Sequence, residues 1–149
     1  MPQDTTILYV IIGTLVVFVL FLLVRFARKR GEEPELIDEL EGHDFEDYCA
    51  DLLSKNGFFD VEVTKGSGDF GLDILAEKDG ITYGIQCKRY DKPIGVAAVQ
   101  QAYAGRDYYD RMVGCVMTNQ YFTDAAVKMA QKLNIVLWDR GYLEEMDHA

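Results

Sequence analysis

Three side chains near the middle of the sequence have types and a spacing that invite chemistry. Asp73 is a carboxylate, and Gln86 and Lys88 follow it as an amide and an ammonium two residues apart. A carboxylate with a second oxygen donor beside it suits a hard cation such as Mg²⁺, which takes few protein ligands and keeps several waters to meet a phosphate. A lysine next to that cation can position or deprotonate an attacking water and offset charge on a phosphoryl transition state. Such a set performs phosphodiester hydrolysis. The plainer reading of the same residues is an ion pair between Asp73 and Lys88 on a solvated sheet face.

Both readings need the three side chains to converge, and a hairpin brings them together. Asp79-Gly80 is a strong two-residue hairpin signal, and a type I′ turn there makes paired residue numbers sum to 159. The register sets Leu72 opposite Cys87, Ile74 opposite Ile85 and Ala76 opposite Tyr83, one consistently apolar face. On the other face Asp73 lies across from Gln86, with Cβ atoms expected about 4.5 to 5.5 Å apart, and Lys88 is two residues along. Helices covering both sides of the sheet would leave Asp73 and Lys88 in a partly buried cleft, where charge tends to mark function. Gly66, Gly68, Gly71 and Gly84 crowd the same place and leave room for a ligand to approach the backbone. Cys87 faces the core by this pairing, which makes a catalytic thiol improbable.

The elements that must position these groups read in the order α-β-β-β-α-β-α-β. Asp44 can cap a helix with Phe45, Tyr48, Cys49, Leu52 and Leu53 on one face, stopped by Asn56-Gly57. Phe59 to Thr64 alternates as a strand, a glycine-rich turn runs from Lys65 to Gly71, and Leu72 to Glu77 and Ile81 to Lys88 form the hairpin. A helix from Gly95 to about Tyr109, a strand Val113 to Thr118, a helix Thr123 to Leu133 and a strand Ile135 to Trp138 complete the pattern. Residues 31–43 are acidic and contain Pro34, which reads as a linker, residues 44–140 form the domain, and residues 141–149 read as a short polar tail. Cys49, Cys87 and Cys115 show no metal-site spacing and read as core thiols in a reducing compartment.

Residues 1–30 have a separate character. From Ile7 to Val24 no charge occurs, enough helix for roughly 27 Å of a hydrocarbon core about 30 Å thick. Arg25, Arg28, Lys29 and Arg30 follow at once, so the expected element is an uncleaved transmembrane anchor, Ile7 to Phe26, in a cell inner or plasma membrane. The positive-inside rule puts the N-terminus outside and residues 31–149 in the cytoplasm. Of 15 basic and 25 acidic residues, four and one lie in residues 1–30, leaving 11 against 24 beyond them, a charge of −13. That excludes a broadly basic nucleic-acid clamp, because sequence-independent affinity for a phosphate polymer comes largely from Lys and Arg.

The segments FEDYCADLLSKNGF, VTKGSGDFGLDILAEKDG, YGIQCKRY, VAAVQQAYAGRDYY and MTNQYFTDAAVKMA together resemble the Mrr-type restriction endonuclease family, a branch of the PD-(D/E)xK nuclease superfamily. The resemblance covers roughly residues 43–138 and includes the signature Asp followed by Gln-x-Lys, here Asp73 and Gln86-Cys87-Lys88. It implies an α/β fold with a restriction-endonuclease-like core, α-β-β-β-α-β, a mixed central sheet flanked by helices and preceded here by one transmembrane helix. It also implies Mg²⁺-dependent, or Mn²⁺-dependent, hydrolysis of DNA phosphodiesters. Asp73 would be a metal ligand, Gln86 would stand where a second acid is usual, Lys88 would activate or position water, and Glu46 on the first helix would join the site as a further metal ligand. An acid in a first helical turn is also favourable against the helix dipole alone. Ser67 and Asp69 read as turn formers or site groups, Gln100 as a cleft or solvated residue, and the tyrosines as core or base-stacking groups. Arg89, Lys92, Arg106 and Arg111 could form a local basic patch, and a homodimer or a specificity partner could carry the DNA-recognition surface. The competing expectations are a nuclease-fold module that binds nucleic acid or a protein at the membrane with little turnover, and a structural membrane protein in which Asp73 and Lys88 merely pair.

Overall fold

Asp79 and Gly80 both adopt left-handed backbone, φ 54° and 76°, in the computed structural model of the chain, and two successive positive angles are what a type I′ turn requires. The structure describes residues 14, 18, 19, 36–64 and 70–149. Residues Leu36–Ala149 form one unit, described here by itself. The proposed membrane anchor lies outside the described residues except for Thr14, Phe18 and Val19, which are helical. Among the described residues no helix is long and apolar enough to cross a membrane.

The elements are α1 (Leu36–Glu39), α2 (Gly42–Lys55), β1 (Phe59–Val63), β2 (Ile74–Lys78), β3 (Ile81–Lys88), α3 (Val96–Tyr108), β4 (Val113–Thr118), α4 (Asp124–Leu133), β5 (Ile135–Trp138) and α5 (Arg140–Asp147). The sheet is ordered β1-β2-β3-β4-β5. Its first three strands are antiparallel, and β3, β4 and β5 run parallel with α3 and α4 as the crossovers. Parallel strands need such long connections, and helices on the faces bury both sides of the strands they cover. That is why β4, Val-Gly-Cys-Val-Met-Thr, is buried from Gly114 to Thr118. On one face Phe45, Cys49, Leu52 and Leu53 of α2 and Leu143 and Met146 of α5 pack with Ile74, Ile85, Cys115, Met117 and Trp138. On the other, Val99 and Ala102 of α3 and Ala126 and Ala130 of α4 pack with Val116 and Ile135.

Four expectations need correction. Residues 141–149 are not a polar tail: Asp139 accepts from the Tyr142 N–H and starts α5, whose Leu143 and Met146 are buried. Residues 31–43 are not wholly a linker, because Ile37 on α1 is part of the core. Helix α2 begins at Gly42 with Glu41 at its N-cap, so Asp44 sits inside the first turn instead of capping it.

The fourth correction concerns the hairpin. Its register is as expected from Lys78↔Ile81 to Ile74↔Ile85, and then the ladder slips. The Asp73 N–H donates to the Ile85 carbonyl at 2.8 Å, one residue out of step. Leu72 therefore does not lie opposite Cys87. It turns to the α3 face, where a Cβ on Gly84 would meet its Cδ1 at 2.4 Å and a Cβ on Gly105 would meet its Cγ at 2.5 Å. Gly84 thus makes room for Leu72 and not for a ligand. Thr64 holds the slipped segment from the β1 side, its N–H donating to the Asp73 carbonyl and its hydroxyl to the Leu72 carbonyl, both at 2.8 Å.

Past the ends of β3 and β4 a polar cluster fixes the chain. Asn119, fully buried, donates from Nδ2 to the Tyr90 carbonyl (3.0 Å) and accepts from the Tyr90 N–H (2.9 Å), as a neighbouring strand would. Its Nδ2 also donates to Asp38 Oδ1 (2.8 Å), which takes a further bond from Arg140 Nη2. Arg140 Nε donates to the Asn119 carbonyl, and Arg89 Nη2 to the Asp38 carbonyl. One carboxylate and one amide therefore join α1, the exits of β3 and β4, and the start of α5.

Gly84→Ala should destabilise the fold by about 1–3 kcal/mol, because Leu72 must leave a packed seat, whereas Gly42→Ala, with open space around its Cβ position, should be neutral or slightly stabilising; urea unfolding of the two variants checks this. The Arg140 hydrogen bond, aided by Asn119 and by the Arg140 and Arg89 charges against the cost of burial, holds the Asp38 carboxyl below its ordinary value. A group whose pKa falls on folding adds stability that is complete above the unfolded value, about 3.9, and drains as pH drops through the lowered one. Asp38→Asn should therefore cost about 1–3 kcal/mol at pH 7, and the gap to the parent should close as the acid limb is reached in a pH series of unfolding curves.

Candidate active site

The slip at Asp73 builds the site. Where the ladder breaks, the Cys87 N–H has lost its strand acceptor, and Asp73 Oδ2 takes that place at 2.7 Å. The same oxygen accepts from Gln86 Nε2, which also donates to the Cys87 carbonyl at 3.2 Å. Asp73 is 7% exposed and Gln86 4%. A carboxylate this buried persists because donors meet it, and hydrogen bonds to a charged group contribute about 1.5–3 kcal/mol. With its nitrogen on Asp73, the Gln86 amide leaves its own oxygen free of that bond.

Lys88 follows on the same side of β3 as Gln86 by strand alternation, is half-buried, and pairs in register with Thr118 of β4. Asp73 is buried and takes two donors from β3, so it is not a solvated group on a plain sheet surface. Glu46 projects from the first turns of α2, largely covered, and bonds His43 Nδ1 at 3.2 Å. That bond raises the exposed His43 above the ordinary imidazole value. Glu46 also reaches the site electrostatically: the Cys49 thiol and burial push Cys87 far up, and the Asp73 and Glu46 carboxylates push it further. The structure thus brings Asp73 and Gln86 into contact, sets Lys88 on the Gln86 side of β3, and has Glu46 bonded to His43 on α2, on the side of the sheet that Cys87 faces. It also makes Cys87 a protonated core thiol and not a nucleophile, and all three cysteines are buried and form no disulfide.

Among the described residues no group of three His, Cys, Asp or Glu side chains forms a metal cluster. The oxygen donors that meet are one buried carboxylate, Asp73, and the Gln86 amide. Hard oxygens of this kind fit a cation that binds few side chains and retains water.

The other candidates divide. Ser67, Asp69, Gly66 and Gly68 lie outside the described residues. Gln100 is exposed on α3. Tyr83 packs edge-on to Phe58 and belongs to the core, while Tyr103, Tyr108 and Tyr121 are exposed. The basic patch is mostly engaged internally: Arg89 bonds Asp91 and the Asp38 carbonyl, Arg106 bonds Asp107 and the Leu133 carbonyl, and Arg111 bonds the Tyr109 carbonyl. Lys92 is exposed, and with Arg89, Tyr90 and Asp91 lines an open cleft of about 410 Å³ just past Lys88.

Sequence reasoning missed Asp38, Asn119 and Arg140, which hold the strand ends around the site. Asn119 left a signal, since an amide directly after the apolar strand Val113 to Thr118 is a candidate for burial with partners. Asp38 and Arg140 are 102 residues apart, and nothing local links them.

Comparison with known proteins gives the site its context. No curated protein matches the chain. Among solved structures, a protein of unknown function, AF1548, is 24% identical with a TM-score of 0.56 over 69% of this chain and 65% of its own. The DNA modification-dependent restriction endonuclease AspBHI is 16% identical with a TM-score of 0.53, over 84% of this chain and 34% of its own. The MspJI restriction endonuclease, solved with a 27-mer oligonucleotide, is 15% identical with a TM-score of 0.51, over 68% of this chain and 26% of its own. The chain thus spans just under two thirds of the first and about a third and a quarter of the other two. These likenesses establish a restriction-endonuclease-like fold, and the profile of the Mrr_cat restriction endonuclease family matches residues 37–146. With that match spanning most of its length, the chain belongs to the Mrr_cat family of restriction endonucleases.

Proposed function

We propose that this protein is a membrane-anchored, divalent-metal-dependent endonuclease that hydrolyses DNA phosphodiester bonds. The observation that carries the reading is the buried Asp73 carboxylate held by Gln86 Nε2 and the Cys87 N–H beside Lys88. A Mg²⁺ or Mn²⁺ ion held by Asp73, with Gln86 and Glu46 as further oxygen donors, would lower the pKa of a bound water and neutralise phosphate charge.

The chain's own residues do the rest. Asp73 is fixed by two donors, so its carboxylate enters the reaction already oriented, with no reorganisation left to cost rate. Gln86, neutral where a second acid is usual in the superfamily, lowers the site's negative charge and so its repulsion of a phosphodiester. Lys88 supplies a cation that hydrogen-bonds the water or a non-bridging phosphate oxygen. Water oxygen attacks phosphorus, its proton passes to solvent, the bond to the leaving oxygen breaks, and that oxygen takes up a proton that solvent or the Lys88 ammonium supplies.

The anchor, Ile7 to Phe26, would hold the nuclease domain on the cytoplasmic side of an inner or plasma membrane. Its support is the uncharged run followed by Arg25, Arg28, Lys29 and Arg30. One observation favours a second reading. The −13 charge of residues 31–149, with three of the four flanking arginine and lysine groups engaged internally, opposes tight duplex binding, as in a module with little turnover or one that relies on a homodimer or a specificity partner.

The full-length chain in mild detergent should nick or linearise circular DNA in Mg²⁺ or Mn²⁺, lose the activity in chelator and regain it with added metal. Lys88→Ala and Asp73→Asn should each lower the rate about 100-fold or more. Asp73→Ala should in addition lower stability by about 1–3 kcal/mol, because the Cys87 N–H and Gln86 amide lose their acceptor, while Asp73→Asn keeps one. Absence of cleavage across modified and unmodified DNA would sink the enzyme reading. For the anchor, alkaline carbonate washing of membranes should leave the chain in the pellet and should release it once residues 7–24 are deleted; release of the intact chain would remove the anchor from the proposal.

A further inference from the structure

The outer side of α3 carries an aromatic arrangement that the hydrolytic site does not use. Phe70 stacks on Tyr108 with ring centroids 3.8 Å apart and planes 19° from parallel. Tyr109 meets Tyr108 edge-on at 5.0 Å. Both stacked residues are more than half exposed, Phe70 54% and Tyr108 56%. Phe70 has φ 47°, a left-handed conformation that bulky residues rarely adopt.

The fold works to hold that conformation. A Cβ on Gly71 would come within 2.7 Å of the Gln101 carbonyl oxygen, and one on Gly105 within 2.9 Å of the Phe70 carbonyl oxygen. Leu72, seated over Gly84 and Gly105, locks the next residue, and Asp73 follows directly. The turn is therefore laid flat on α3 by two glycines, with one end at the carboxylate of the candidate site and the other presenting a Phe ring to solvent. Core packing does not require an exposed ring in a strained backbone, but a ligand with a flat π face would.

We propose that Phe70 and Tyr108 form a base-stacking platform for unpaired nucleobases of the DNA strand processed at Asp73. The proposal rests on the nuclease reading for the identity of the strand. Charge favours this occupant over a duplex backbone. Residues 31–149 carry −13, and the arginine on the same helix, Arg106, is held by Asp107 and lies over the Tyr103 ring at 4.8 Å. Affinity that cannot come from phosphates has to come from stacking, which every base can supply through its π face. The platform makes single-stranded or locally opened DNA the preferred substrate, and it places the unpaired base a few residues from the hydrolytic carboxylate.

The test uses the full-length chain in detergent with chelator present to block cleavage. The probe is an oligonucleotide of about 20 nucleotides carrying 2-aminopurine, offered single-stranded, as a duplex, and as a duplex with an unpaired centre. The expected result is tighter binding of the single-stranded and unpaired forms, with quenched aminopurine emission. Tyr108→Ala or Phe70→Asn, the latter tolerant of left-handed backbone, should weaken that binding about tenfold or more, while Tyr108→Phe retains it. Raising salt from about 50 to about 200 mM should change affinity far less than the roughly thousandfold or greater loss of a phosphate-dominated binder.

Unchanged affinity in both variants, duplex preferred over single strands, or no binding by the parent would overturn the platform. So would variants that change only sedimentation of the chain, which would make this face a contact between copies, or only capture of a protein partner. Cleavage measured beside it keeps the two readings apart. Cleavage that survives both variants with unchanged binding removes the platform and leaves the nuclease, whereas tyrosine-dependent binding with no cleavage by the parent leaves the platform and removes the nuclease.

Discussion

A single oxygen, Asp73 Oδ2, does what a strand would otherwise do for the Cys87 N–H, and the site depends on it. An antiparallel ladder continued through residue 72 would have spent that N–H on a backbone carbonyl and sent Leu72 into the α2 face. The one-residue slip instead substitutes a charged side chain for a peptide acceptor. The cost is a carboxylate in a place almost closed to solvent, offset by two donors from β3. The gain is a negative group fixed at the end of a sheet, beside a strand that supplies an amide and an ammonium. Register, burial and chemistry are therefore one constraint seen at three scales.

Much of this was legible in the chain. Asp79-Gly80 dictated its turn and the turn dictated the register as far as Ile74↔Ile85; Asp73 then meets Gln86 through its side chain, one residue out of the expected step. The helices after β3 and β4 followed from apolar spacing in the same way. What could not be read were effects that need two distant segments at once. The alternation of Leu72 with Ile74 and Ala76 is a local pattern, and it was overruled by seats at Gly84 and Gly105 that exist only once α3 lies on the sheet. The residues from Gly141 onward look polar because only Leu143 and Met146 face inward, too few for a period to stand out. Glu46 shows the limit from the other side: its helix was plain, but its nearness to Cys87 is a property of packing.

The amide at position 86 also bears on the charge of the site. A second carboxylate beside Asp73 would have raised the like-charge repulsion in a nearly dry site, and the Gln86 Nε2 donor could not have formed. The domain already carries excess acid, so a neutral group in a nearly closed place spares it one more buried charge. The internally bonded arginines belong to the same economy of charge: Arg89, Arg106 and Arg140 are spent on the architecture.

The joint between Asp38 and Arg140 ties the first helix of the domain to its last across 102 residues, with the whole sheet enclosed between them. A domain stitched shut at one corner is modular in the mechanical sense, since flanking sequence at either side can be exchanged without prying the interior apart. The same fold occupies about a third of AspBHI and a quarter of MspJI, so larger architectures do carry it as a cassette. Closure of this kind lets one folded core stand as a self-contained unit inside chains of very different length.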